Sequence, residues 1–71
     1  MPTIKDVARE LANSSTNHVD ARVIDELEKD LGMCREDILE EICTLGDFSE
    51  TVLHEHNGRT LYIFAKRKKR G

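Results

Sequence analysis

The chain has few of the residues that mark secreted, membrane-spanning or catalytic proteins. Its 71 residues include only two cysteines, and no uncharged apolar run is longer than the five residues from Leu61 to Ala65. Such a run is far too short to cross a bilayer. The N-terminus lacks the basic and then apolar pattern of a signal peptide. We therefore expect a cytoplasmic or nuclear protein that does not associate with a membrane.

The two cysteines, Cys34 and Cys43, are unsuited to a disulfide or to catalysis. If both lie on one helix, nine residues place them on opposite faces, about 13 Å apart along the axis. That separation excludes a mutual disulfide, so we expect reduced thiols, buried or partly buried. They are the only candidate nucleophiles, they lie among carboxylates, and the chain has no glycine-rich phosphate loop. We expect no enzymatic activity and no cofactor.

What the chain does have is charge, divided unevenly along its length. Residues 1–50 contain five Lys or Arg and thirteen Asp or Glu, a net charge of −8. Residues 51–71 contain six Lys or Arg and only Glu55 as an acid, a net charge of +5. Asymmetry of this kind suggests contact with nucleic acid or with another anionic surface.

The first segment with helical periodicity runs from residue 4 to about residue 13. Thr3 and Asp6 provide the hydroxyl and the carboxylate that favour a helix start. Five small polar residues, 13–17, then interrupt the pattern and predict a loop. A short extended stretch can follow at residues 18–19.

Two further helices follow, separated by a glycine turn. Asp20 can cap the second helix, and Gly32 ends it. The third runs from Arg35 to about Leu45, with Gly46 expected at its end. The side chains expected to face the core are Val23, Ile24, Leu27 and Leu31 from the second helix and Ile38, Leu39, Ile42 and Leu45 from the third.

Asn57 and Gly58 predict a β-hairpin between strands at residues 51–56 and 59–65, because both turn positions need a positive φ. The predicted pairs are His56–Arg59, His54–Leu61, Leu53–Tyr62 and Val52–Ile63. One face then carries Val52, His54, Leu61 and Ile63, and the other carries Leu53, Tyr62 and Phe64. The second set belongs to the core or, if exposed, forms a dimer or partner surface. His54 and His56 share a face, but two ligands without a third indicate a metal site only weakly.

The order of these elements resembles the winged helix-turn-helix superfamily, on the match of residues 23–46 and the Asn57-Gly58 wing. The resemblance implies an α+β fold at residues 1–65, with three helices followed by a β-hairpin wing, and a basic, disordered tail at 66–71. In such domains the third helix commonly enters the DNA major groove, and the wing and its flanks contact phosphates. Here that helix would expose four carboxylates and a single cation, Arg35, which disfavours its approach to a phosphate backbone.

These observations predict a small regulatory protein that binds nucleic acid, in the first place double-stranded DNA. We expect no metal site, and we expect that the protein can form a homodimer. The residues expected to contact nucleic acid are Arg35, Arg59, Lys66, Arg67, Lys68, Lys69 and Arg70. The alternative is a protein-interaction module that docks through its acidic third helix. The residues expected to contact a protein are Glu36, Glu40, Glu41, Leu53, Tyr62 and Phe64. A solvated tail, a tail that neutralises the acidic helices and an acidic mimic of a duplex are further alternatives.

Overall fold

The described part of the chain folds into three helices and a three-stranded antiparallel sheet, which is an α+β architecture. The computed structural model describes residues 3–14 and 17–67. Its elements are α1 (Ile4–Asn13), β1 (His18–Asp20), α2 (Ala21–Leu31), α3 (Arg35–Gly46), β2 (Phe48–His56) and β3 (Arg59–Lys66). The strand order is β1-β3-β2, so that the last strand lies in the centre. No helix in the described ranges has the length and apolar character needed to span a membrane.

The helix starts are those that the sequence predicts. At α1, Thr3 and Asp6 form a reciprocal capping box, in which each backbone N–H donates to the other side chain over 3.2 Å. The hydrogen bond from the Thr3 backbone N–H lowers the pKa of the Asp6 carboxyl below its ordinary value. At α2, the Asp20 carboxylate accepts the Arg22 N–H over 2.9 Å, and Gly32 ends the helix at a φ of 65°. Both capping predictions are confirmed.

The end of α3 is at the predicted position. Gly46 is the last residue of the helix, and the residue that follows it, Asp47, has the left-handed conformation, at a φ of 57°. A side chain at position 46 would run into the ring of Phe48, with a Cβ only 2.8 Å from Cδ2. That ring is buried and packs against Phe64 at a centroid distance of 5.3 Å. Gly46 is therefore required by close packing against Phe48, a reason that its position at the end of the helix does not reveal.

The core lies between the three helices and one face of the sheet. Its buried members are Ile4, Val7, Ala8, Leu11, Ile24, Leu27, Ile38, Ile42, Phe48, Tyr62 and Phe64. Two predicted core residues do not belong to it, because Leu31 is 46% exposed and Leu45 is 50% exposed. Both lie in the last turn of their helices, where the apolar stripe extends past the elements packed against it.

The hairpin has the predicted register at all four predicted pairs. Asn57 and Gly58 have φ values of 49° and 77°, as a two-residue turn of this kind requires. Both strands extend beyond the predicted bounds, since β2 begins at Phe48 and β3 reaches Lys66. A register irregularity between Phe48 and Glu50 interrupts the base of β2.

Candidate nucleic-acid and protein interface

Arg35, at the start of α3, is held against α2 and β3 by both terminal nitrogens of its guanidinium group. Nη2 donates to Asp25 Oδ1 over 2.8 Å and to Glu28 Oε1 over 3.2 Å. Nη1 donates to the Tyr62 hydroxyl over 3.0 Å. The hydrogen bonds to Tyr62 and Glu28 raise the pKa of Arg35 above its ordinary value. Both terminal nitrogens of the Arg35 guanidinium are therefore already paired within the domain, although the side chain is 48% exposed.

Glu28 also supplies a cap that the sequence of α3 lacks. The N-cap residue, Cys34, makes no side-chain capping bond. Instead, Glu28 Oε2 accepts the backbone N–H of Arg35 over 3.0 Å, so that one carboxylate contacts both the backbone and the side chain of the same residue. Arg35 thus fixes the start of α3 against α2 and the central strand.

The charged side chains on the exposed side of α3, after Arg35, are all carboxylates. Glu36, Asp37, Glu40 and Glu41 are all exposed, and within the described ranges none of them forms an ion pair. A shallow depression on this side is lined by Met33, Asp37, Glu40, Glu41 and Thr44. With Arg35 engaged elsewhere, this surface would repel a phosphate backbone and attract cations.

The candidate phosphate contacts lie at opposite ends of the hairpin. Arg59 begins β3 beside the turn and Lys66 ends it, which separates their Cα atoms by about 23 Å along the strand. Both side chains are exposed, and in the part of the chain that the structure describes neither forms an ion pair. Arg67 is engaged, because its Nε donates to Asp47 Oδ1 over 3.1 Å and its Nη2 to the Phe48 carbonyl over 3.4 Å. The predicted contacts at Lys68, Lys69 and Arg70 lie outside the described residues.

The predicted apolar cluster on the hairpin is divided between core and surface. Tyr62 and Phe64 are buried, so they are unavailable to a partner, whereas Leu53 is 58% exposed. Register puts the three on one face, as predicted, but the helices cover only part of that face. Val52, on the opposite face, is 50% exposed. An accessible apolar pair therefore remains in the middle of β2.

The hairpin histidines stack on each other and do not assemble a metal site. The rings of His54 and His56 are 6.4 Å apart with an interplanar angle of 20°. His56 Nε2 also lies 3.3 Å from the Asn57 side-chain nitrogen. Among the described residues, no group of three or more His, Cys, Asp or Glu side chains could hold a metal ion.

The sequence analysis did not identify the residues that accept hydrogen bonds from Arg35. Glu28 and Arg35 are seven positions apart across the Gly32 turn, so their opposite charges were a usable signal, whereas Tyr62 reaches Arg35 only through the tertiary fold. Comparison with known proteins adds no functional assignment: no protein-family model, curated protein or solved structure matches this chain.

Proposed function

We propose that this chain is a winged helix-turn-helix domain that binds nucleic acid, in the first place double-stranded DNA, through phosphate contacts at its hairpin and its C-terminal basic segment. The element order supports this fold, with a tight Gly32 turn between α2 and α3 and a C-terminal hairpin that acts as the wing. The pairing of β1 with β3, on the side away from β2, is also consistent with it.

The observation that carries the proposal is the distribution of available cations. Arg35 and Arg67 are exposed but form ion pairs within the domain, whereas Arg59 and Lys66 are exposed and form none within the described ranges. The sequence then adds three more cations directly after Arg67. Positive charge that could meet phosphates is therefore concentrated on the hairpin and the residues that follow it.

In this mechanism the duplex is held mainly by its backbone. Each phosphate neutralised by a Lys or Arg releases counterions, which makes binding strong at low salt and weakly dependent on sequence. The carboxylates of α3 would have to be desolvated against phosphates if that helix entered the groove, which is costly. The proposed complex therefore turns α3 away from the nucleic acid.

A salt titration of binding to a random-sequence duplex, followed by fluorescence anisotropy, tests the proposal. The truncation should end after Arg67, because Lys66 belongs to β3 and Arg67 contacts Asp47 and the Phe48 carbonyl. Loss of the three cations at 68–70 should reduce the steepness of log K against log salt by about 2.7. Absence of binding at low salt, or an unchanged slope, would contradict the proposal.

A matched pair of double variants separates specific cations from net charge. Arg59→Ala with Lys66→Ala should lower the slope by about 1.8, because two phosphate contacts are lost. Lys5→Ala with Arg9→Ala removes two exposed cations from α1 and should leave the slope nearly unchanged. Equal effects of the two pairs would show that only overall charge matters, and would remove the hairpin from the proposed interface.

A second function, docking of a basic protein segment on α3, is favoured by the engaged state of Arg35 and by the exposed carboxylates. Binding of a Lys- and Arg-rich synthetic helix provides the test. Glu40→Lys with Glu41→Lys should abolish this binding, whereas Glu10→Lys with Glu26→Lys, on α1 and α2, should weaken it only slightly. If the two pairs behave alike, α3 is not the docking surface.

A further inference from the structure

The outer side of β2 offers a row of backbone groups to which no described strand pairs. This strand lies at the edge of the sheet, with β3 on its other side. A two-residue turn closes with a hydrogen-bonded pair, here His56 and Arg59. Backbone direction alternates along the strand, so Thr51, Leu53 and Glu55 turn their N–H and C=O groups outward.

The features that normally protect such an edge are sparse in β2. The strand is nine residues long and contains neither lysine nor proline. Its register irregularity lies at the base, around Ser49, and leaves residues 51–56 in regular pairing. In this regular part, Val52 and Leu53 are half or more exposed and point to opposite faces. The edge is therefore open to another strand and apolar at its centre.

We propose that the occupant of this edge is the β2 strand of a second copy, paired antiparallel about a two-fold axis at Leu53. Outward-directed residues must lie opposite each other, so the register can shift only in steps of two. The pairs in the proposed register are Leu53 with Leu53, Val52 with His54, Thr51 with Glu55 and Glu50 with His56. Two symmetry-related contacts between the Glu50 carboxylate and the His56 imidazole result, and no like charges lie opposite each other.

The two neighbouring registers are less favourable. A shift of two residues towards the base of the strand places the irregular Ser49 opposite Glu55 of the other copy, where the regular ladder is lost. A shift of two towards the turn places His54 opposite itself and Thr51 opposite Asn57, a residue of the turn. The register centred on Leu53 alone combines a regular ladder with opposite polar partners.

This dimer changes how the cations of the domain are grouped. Antiparallel pairing sets the hairpin turn of one copy beside the base of the other, so Arg59 of one copy and Lys66 of the other share an end of the six-stranded sheet, one on each of its faces. The two β3 strands are three strand spacings apart, about 14 Å, compared with about 23 Å between these residues within one copy. The dimer goes beyond the proposed nucleic-acid binding and is tested without nucleic acid.

Sedimentation equilibrium with charge-swapped chains tests the proposed pairing. Glu50→Lys and His56→Glu should each weaken self-association about tenfold. Glu50→Lys removes the carboxylate opposite His56, and His56→Glu places a second carboxylate opposite Glu50; each change acts at both symmetric positions. An equimolar mixture of the two variants should recover the dimer, since in the heterodimer the introduced lysine lies opposite the introduced glutamate and the other pair is native. A misfolded variant could not be rescued by mixing. Monomeric wild-type protein at millimolar concentration, or no recovery in the mixture, would overturn the proposal.

Cysteine trapping tests the register independently. Leu53→Cys, in a Cys34→Ser background, places the two new thiols directly opposite each other, within the Cα range that a disulfide spans. Val52→Cys is the matched control, because its two copies would be about 8 Å apart at Cα, too far for a disulfide. We expect a cross-linked dimer from Leu53→Cys and none from Val52→Cys or from the background. Preferential cross-linking of Val52→Cys would overturn the register.

Discussion

Replacing Gly46 by alanine, alone and together with a smaller side chain at Phe48, tests whether close packing is the role of this glycine. Gly46 is not in the left-handed conformation, and its Cα faces the buried ring of Phe48. An alanine Cβ would require that ring to move against Phe64. Overpacking of this kind costs about 1–3 kcal/mol, whereas replacing glycine near a helix end gains at most about 1 kcal/mol. We expect a net loss of about 1–2 kcal/mol and a Tm lower by roughly 5–15 °C.

The companion variant, Asp47→Gly, should behave in the opposite way. Position 47 has a φ of 57°, which glycine adopts without the steric cost that a side chain carries. The variant also loses the exposed ion pair between Asp47 and Arg67, which contributes little at the surface, so we expect the Tm to stay the same or to rise slightly. Thermal unfolding followed by circular dichroism measures both variants under the same conditions.

A double variant tests whether the Phe48 ring causes the loss at Gly46. In Phe48→Leu the side chain is smaller, so adding Gly46→Ala should cost less than it does in the wild-type protein. The expected non-additivity is about 1 kcal/mol. An unchanged or higher Tm for Gly46→Ala, or an equal loss in the Phe48→Leu background, would refute the reasoning, because neither result is compatible with a Cβ that collides with the Phe48 ring.

Two further predictions concern polar contacts at the helix starts. Arg35→Gln removes the contacts to Asp25, Glu28 and Tyr62, so it should lower the Tm while leaving the salt slope of nucleic-acid binding unchanged; a slope reduced by about 0.9 would instead make Arg35 a phosphate contact. The lowered pKa of Asp6 means that its charged form stabilises the fold above the ordinary carboxyl pKa, and that this contribution is lost as pH falls through the lower folded-state pKa. The Tm difference between wild type and Asp6→Asn should therefore be largest near neutral pH and vanish in strong acid, which a pH series of unfolding curves measures.

The sequence predicted correctly those features that a few neighbouring residues determine. The Asn57-Gly58 turn fixes the hairpin register by itself, because a two-residue loop leaves no freedom in the pairing. The Thr3 capping box and the Gly32 turn are equally local, and all three predictions are confirmed. In each case the atoms that form the contact are only a few residues apart in the chain.

The sequence did not predict contacts that form only when distant parts of the chain pack together. Gly46 fits a capping rule, but the ring of Phe48 can be placed beside it only once β2 has packed on the core. Leu31 and Leu45 continue apolar stripes, yet periodicity does not reveal where the packed neighbours end. Arg35 looks available from the sequence because Tyr62, one of its partners, is 27 positions away.

The engagement of Arg35 explains why the acidic character of α3 and the basic character of the C-terminal region can coexist in one domain. Arg35 forms ion pairs with Asp25 and Glu28 and so holds α2 and α3 together. It is the only Lys or Arg in α3, so these ion pairs involve the single cation of that helix. The exposed side of α3 is then anionic and would repel a phosphate backbone. Within one copy, Arg59 and Lys66 lie at opposite ends of β3 and on opposite faces of the sheet. In the proposed dimer each end of the six-stranded sheet would carry one of these cations on each face, so the proposed phosphate contacts would need no contribution from α3.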